Sequence, residues 1–233
     1  MRRSLFWCLV SVLLAVCGCR DPRLVRSIRE GESAETQKLI SEGADVNTRD
    51  ASGLTALCVA IDANDKETFR ELLAKGASPN LCDNVGTCAV NLAAEQEDIF
   101  WLEEVLKHGG NPNQPNTGNS FFPNDTPIFY AIAKHRRENV LALMAAGADV
   151  KHVDGNHRTP LFDCVSAGMY DVAMKMIEAG ADPAPPKPAF ALIPGNGQFT
   201  EGYVKTISTP ERKQQYLKLK AMLIEKGYLK PAE

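Results

Sequence analysis

A glycine returns at the end of each apolar run in this chain. Gly43, Gly76, Gly109, Gly147 and Gly180 stand 33, 33, 38 and 33 residues apart. A period of this size means supersecondary units stacked side by side, each too small to bury its own apolar face, and not one globular core. A second landmark keeps the same register. Thr55, Cys88 and Thr159 each lie twelve residues after Gly43, Gly76 and Gly147, and Thr126 follows Gly109 after a longer connection. From landmark to the next glycine is always 21 residues, room for two short antiparallel helices and a turn.

The residues at these landmarks carry their own mechanism. Thr followed by Pro, as at Thr126-Pro127 and Thr159-Pro160, starts a helix. The hydroxyl can accept a backbone N–H, and Pro lacks a donor where none is needed. An apolar segment follows each landmark, such as Thr55-Ala56-Leu57-Cys58-Val59-Ala60. The second helix of each repeat ends in an apolar pair: Leu39-Ile40, Leu72-Leu73, Val105-Leu106, Leu143-Met144 and Met176-Ile177. Gly then supplies the left-handed residue that stops the helix. The stretch after it, for example residues 43–53, ends in Asp, Ser and Gly and reads as a turn. Each repeat is therefore predicted as hairpin loop, helix, turn, helix.

This pattern resembles the ankyrin repeat family, whose unit is about 33 residues with a Thr-Pro-Leu-His-x-Ala helix start. The resemblance covers residues 21–182, and Gly-Ala-Asp recurs at 43–45, 147–149 and 180–182 in register with the Thr landmark. At the fourth motif position Cys58, Asn91, Phe129 and Phe162 replace His, and Cys88 replaces one capping Thr. The fold class implied is an all-α ankyrin-repeat solenoid of helix-turn-helix units joined by β-hairpin loops. Residues 31–182 form the repeat domain, and residues 21–44 are expected to be a first, incomplete unit. Residues 183–205 form a proline-rich insertion. Residues 206–233 form a degenerate C-terminal capping repeat, since Thr206 lies 21 residues before Gly227.

The N-terminus reads as an address. Arg2 and Arg3 precede twelve largely apolar residues, 5–16, too few for a bilayer span of roughly 20. The following Cys17-Gly18-Cys19 is similar to the lipobox of bacterial lipoprotein signal peptides, with Cys19 as the lipidated residue and 1–18 as the signal peptide. An ordinary cleaved signal and an uncleaved anchor are the other readings of the same residues. The resemblance implies a membrane-tethered envelope protein with residues 19–30 as tether and start of the cap. Arg20 after the Cys favours the periplasmic face of the outer membrane. Such a compartment permits disulfides, and Cys82 and Cys88 flank one turn, placing them within disulfide reach. Cys58 and Cys164 fall on first-helix positions and read as small apolar residues.

Stacks of this kind leave hairpin tips and the first-helix face as a concave surface, which the family generally uses to bind proteins. The exposed candidates by position are Arg49, Ala51 and Leu54 in one finger and Asp83, Asn84 and Val85 in the next. The fourth hairpin offers His152, His157 and Arg158. Between Gly109 and Thr126 the connection is five residues longer than its equivalents and contains Phe121 and Phe122. Long loops in compact units are commonly functional. These two rings either fold back onto the neighbouring finger or anchor a partner. Trp101, at helical spacing from Val105, reads as core.

His152, Asp154 and His157 are metal-ligand types, but the repeat already demands polar turn residues there, so no metal is expected. No nucleophile elbow, phosphate loop or His-Glu-x-x-His occurs, so neither catalysis nor a cofactor is expected. A net charge of −3 gives no reason to expect nucleic acid. The reading is a monomeric protein-binding lipoprotein of the bacterial envelope. The alternative is an immunity-type inhibitor neutralising a periplasm-delivered toxic effector such as a phospholipase. An enzyme or metal-dependent regulator would require the His152–His157 cluster to matter.

Overall fold

The computed structural model describes residues 22–118, 124–183 and 209–229. The signal segment, Cys19, Phe121, Phe122, most of the proline-rich insertion and Thr206 lie outside the described residues. The described residues fall into two compact units divided between Asn84 and Val85. Among them no helix is long and apolar enough to cross a membrane.

The first unit holds four helices: α1 (Pro22–Glu30), α2 (Ser33–Ser41), α3 (Ala56–Asp62) and α4 (Lys66–Ala74). The sequence suggested an incomplete first repeat, but α1 and α2 form a full antiparallel pair of nine-residue helices. The apolar face of α1 explains this, since Leu24, Val25 and Ile28 are buried to 2% exposure or less. Burying one such side chain contributes roughly 1.5–3 kcal/mol, enough to hold a helix too short to persist alone. Helix α3 begins where Thr55 Oγ1 accepts from the Cys58 amide at 3.2 Å. Asp65 caps α4 by accepting from the Thr68 amide at 3.0 Å. An isolated antiparallel bridge joins Arg49 and Thr55 across the intervening hairpin.

The second unit holds α5 (Ala89–Glu95), α6 (Phe100–Lys107), α7 (Pro127–Ala133), α8 (Arg137–Ala145), α9 (Pro160–Ser166), α10 (Tyr170–Glu178) and α11 (Pro210–Glu225). Successive inner helices α5, α7 and α9 pack on one another, and each packs on its own outer helix. The first member of each apolar pair is at 0% exposure here: Val105, Leu143 and Met176. Trp101 is 2% exposed and belongs to this core. The terminating glycines all adopt positive φ, between 78° and 95° in this unit, and the residue after each bonds back into the helix. That is the left-handed stop an L side chain resists.

The described part of the C-terminal segment holds one 16-residue helix, which starts after Thr209. Thr209 accepts from the Arg212 amide, with Pro210 at the first helical position, so the starting chemistry is that of the other repeats. No glycine interrupts residues 210–225, so nothing divides the helix in two. It packs on α10 through Tyr216, Leu219 and Leu223, all at 0% exposure. The Tyr170 and Tyr216 rings meet edge-on at 5.5 Å.

Candidate functional site

Three of the hairpin turns are built on one acceptor side chain each, Asp50, Asn116 and Asp154. In the first, Asp50 Oδ1 accepts from the amides of Ser52 (2.9 Å) and Leu54 (3.0 Å). The backbone closes the same turn, Asp50 N–H to Leu54 C=O and Gly53 N–H to Asp50 C=O, both at 3.0 Å. The Asp154 hairpin repeats this arrangement: Oδ1 accepts from Asn156 and Arg158, and the Asp154 and His157 amides close the turn. Burial works to raise Asp50, but hydrogen bonds from Ser52, Arg29 and the Leu54 amide outweigh it and hold the carboxyl at about 2.

The five-residue expansion sits inside this turn. Asn116 takes the Asp position: its N–H donates to Asp125 C=O at 2.8 Å and its carbonyl accepts from Asn124 N–H at 2.9 Å. Its Oδ1 accepts from Gly118 N–H at 3.1 Å. Seven residues separate Asn116 from Asn124, where two separate Asp50 from Gly53. The residues on either side of the expansion thus keep ordinary turn geometry. Two neighbours clasp these residues. Gly118 lies against the Val85–Gly86 backbone so closely that a Cβ on it would fall 2.2 Å from the Val85 carbonyl carbon. On the other side the His152 ring bonds Asn124 C=O at 2.8 Å and stands edge-on to Phe129. Beneath, Asn116 Nδ2 donates to the Tyr130 hydroxyl, beside the fully buried Asn91.

Arg158 departs from the expected exposed contact residue. Its guanidinium is committed to three carboxylates: Asp154 at 2.6 Å, Asp163 at 3.0 Å and Asp125 at 3.2 Å. It also lies over the Phe129 ring at 5.6 Å. One cation among three acids leaves an excess of negative charge in a half-buried site. Burial pushes Asp125 up to about 7 against the pull of Arg158, with Asp154 adding to the rise. Burial likewise pushes Asp163 up to about 6.

The remaining sequence candidates separate by environment. Ala51, Asn84 and His157 are exposed, and Val85 retains 56% of its surface; Arg49, Leu54, Asp83 and His152 are half-buried. His157 holds φ +60°, the position of Gly53 in its hairpin, so it is also a turn residue. Val153, which the sequence reading did not select, exposes 44% of its surface one residue from Asp154. The carboxylate of Asp154 is taken up by its own turn and Arg158. Among the described residues no group of three or more His, Cys, Asp and Glu is placed to hold a metal ion.

Cys82 and Cys88 are both disulfide-bonded, while Cys58 and Cys164 are free and fully buried. Burial pushes the Cys58 thiol up to about 11 and raises Cys164 as well, so neither is a ready nucleophile. Alkylation of the native chain without reductant is expected to leave these four residues unlabelled, and reduction with denaturation to expose all four. Labelling of Cys82 or Cys88 in the unreduced, unfolded chain would contradict the assignment.

Paired helices and acceptor-closed hairpins define a fold of the repeat-solenoid class. Residues 24–116 match the family model described as Ankyrin repeats (3 copies). The fold is an all-α ankyrin-repeat solenoid, and the same helix pair and Thr-Pro start continue past the match in residues 126–180. Ankyrin repeats generally serve as protein–protein interaction modules and are typically non-enzymatic. No curated protein matches the chain significantly.

Proposed function

We propose that this chain is a protein-binding ankyrin lipoprotein of the bacterial envelope, tethered through lipid on Cys19 and engaging its partner with finger tips and concave face. The observation that carries the reading is the expanded third hairpin. Its base is bonded in the standard turn geometry and clasped from both sides, yet its sequence spends two adjacent Phe among Asn, Gly and Ser. Aromatic residues carried by a loop whose base is held in place are a means by which a few large side chains can dominate binding energy. Val85 and Val153, the exposed apolar residues on the flanking turns, extend the surface on either side. His157 is exposed and His152 partly accessible on the same unit, while in the first unit Ala51 and Asn84 are exposed and Arg49, Leu54 and Asp83 partly accessible. The lipobox-like Cys17-Gly18-Cys19 supports the tether and the periplasmic face of the outer membrane.

Affinity capture of the tagged full chain from gently solubilised envelopes tests the reading. A stoichiometric partner is expected, and Phe122→Ala is expected to reduce its recovery at least about tenfold, the loss of one anchor residue. The thermal midpoint should stay unchanged. Equal recovery by the variant, or an equal loss of stability, would mean the ring packs within the protein.

A further inference from the structure

In the first unit a recess of about 230 Å³ opens beside α1 and α3, lined by Arg29, Leu54, Val59, Asp62 and Ala63. Leu54 precedes the capping Thr55, and Val59 and Asp62 follow it by one and two helical turns, so all three share the inner-helix face. In the fifth repeat the matching positions before and after the landmark hold Arg158 and Asp163, which pair with each other. In the first unit they hold Leu54 and Val59, which cannot pair, and the space between them is left open.

The charges around this recess are unequal in what they can still do. Arg29 is satisfied by Asp50 at 2.6 Å. The other Asp50 oxygen already takes two amides and the Ser52 hydroxyl. Asp62 makes no hydrogen bond or ion pair among the described residues, and burial raises its carboxyl against the pull of Arg29. Arg29, Asp50 and Asp62 together carry a net charge of −1, and the uncommitted share of it sits on Asp62.

Three kinds of side chain could fill the space, and two are disfavoured. An apolar group would strip water from Asp62 and return nothing, which costs free energy for any buried charge. An acidic group would meet Asp62 directly. A guanidinium on an aliphatic stem replaces the lost water with charge-assisted hydrogen bonds while its methylenes cover Leu54 and Val59. We propose that this recess is a binding site for an arginine side chain of the partner polypeptide, its stem on Leu54 and Val59 and its head on Asp62. The proposal rests on the protein-binding reading above and adds to it the chemistry of one partner residue. Arginine is preferred over lysine because its planar fork matches a carboxylate with two parallel bonds.

The test is amide NMR of the full chain in detergent micelles, titrated with N-acetyl-arginine methylamide. The amides of Leu54, Val59 and Ala63 are expected to shift and saturate with a dissociation constant of about 1–10 mM, as one side chain's contact allows. Asp62→Asn, at an exposed position that should leave the spectrum's dispersion intact, is expected to weaken binding at least about threefold. The neutral isostere, N-acetyl-citrulline methylamide, should bind the native chain as weakly. Absence of shifts at these three amides, equal binding of the citrulline probe, or indifference to Asp62→Asn would each overturn the proposal. A partner recovered in the capture experiment while the arginine probe fails would sink the recess alone. A probe that binds through Asp62 while no partner is captured would leave the recess standing and remove the reading it was built on.

Discussion

Arg158→Met is expected to destabilise the second unit by about 3–5 kcal/mol at pH 8, the cost of removing one partner from a buried ionic cluster. At pH 5 the loss should be much smaller. The reason is that Asp125, Asp154 and Asp163 converge on this one guanidinium, with side-chain exposures of 8%, 0% and 17%. Without it three carboxylates face each other with little water. Asp125 and Asp163 already have folded-state pKa values raised to about 7 and about 6, from an ordinary 3.8. A carboxyl raised on folding takes up protons preferentially in the native state, so its penalty is absent below about pH 4 and complete above its folded pKa. Native stability of this unit should therefore fall as pH rises from 4 to 7, and the variant should fall more steeply. Asp50 pulls the other way only below pH 4, since its pKa is lowered to about 2. Urea midpoints at pH 5 and pH 8 for both proteins measure the effect. Asp125→Asn in the Arg158→Met background should recover part of the loss at pH 8, because it removes one of the stranded charges. A loss of the same size at both pH values would show that Arg158 acts through its packing on Phe129 and not through charge.

The cluster was open to prediction, and the periodic pattern shows how. Asp125 and Arg158 each stand immediately before a landmark Thr, at Thr126 and Thr159. Successive repeats stack that position, so opposite charges at one register should have been read as a pair, and Arg158 removed from the binding candidates. Asp154 was legible as the turn acceptor by its match with Asp50. Asp163 was not, because at one turn into an inner helix the same register holds Val59, Leu92 and Tyr130, which share no chemistry. The helix pairs, their caps and their glycine stops followed from the sequence because each depends on a few neighbouring residues. In the C-terminal segment the same local chemistry is legible: Thr209-Pro210 carries the helix-start pair of Thr126-Pro127, and that is where α11 begins. The recess beside Asp62 could not be read from the sequence at all, since it exists only through the placement of α1 against α3. Likewise the five extra residues were countable in the sequence, but the turn bonds that Asn116 and Asn124 make on either side of them appear only in the structure.

Those bonds make the approach of Gly118 to Val85–Gly86 the other point where a single methyl group should matter most. Gly118→Ala is expected to cost about 1–3 kcal/mol, as overpacking does in a tight interior. The added Cβ would meet three atoms of the Val85–Gly86 peptide, at 2.2, 2.4 and 2.5 Å, and backbone cannot rotate away as a side chain could. The expanded finger must then lift from its neighbour, so partner recovery should fall together with stability, unlike the tip variant Phe122→Ala. Gly86→Ala should be worse. Its Cβ would fall 2.3 Å from Asn116 Oδ1, and its φ of +82° adds the strain of a left-handed L residue, about 1–2 kcal/mol. Gly147→Ala separates the two causes: it carries the same kind of φ, +88°, but a Cβ there meets nothing within 4 Å. It should lose only the conformational part and keep full partner recovery. Equal losses for Gly147→Ala and Gly86→Ala, with Gly118→Ala silent, would mean that backbone conformation alone sets the cost and that the fingers need not touch. The expected order, Gly86 above both others and only Gly86 and Gly118 affecting recovery, would place the clasp between neighbouring turns at the base of the binding surface.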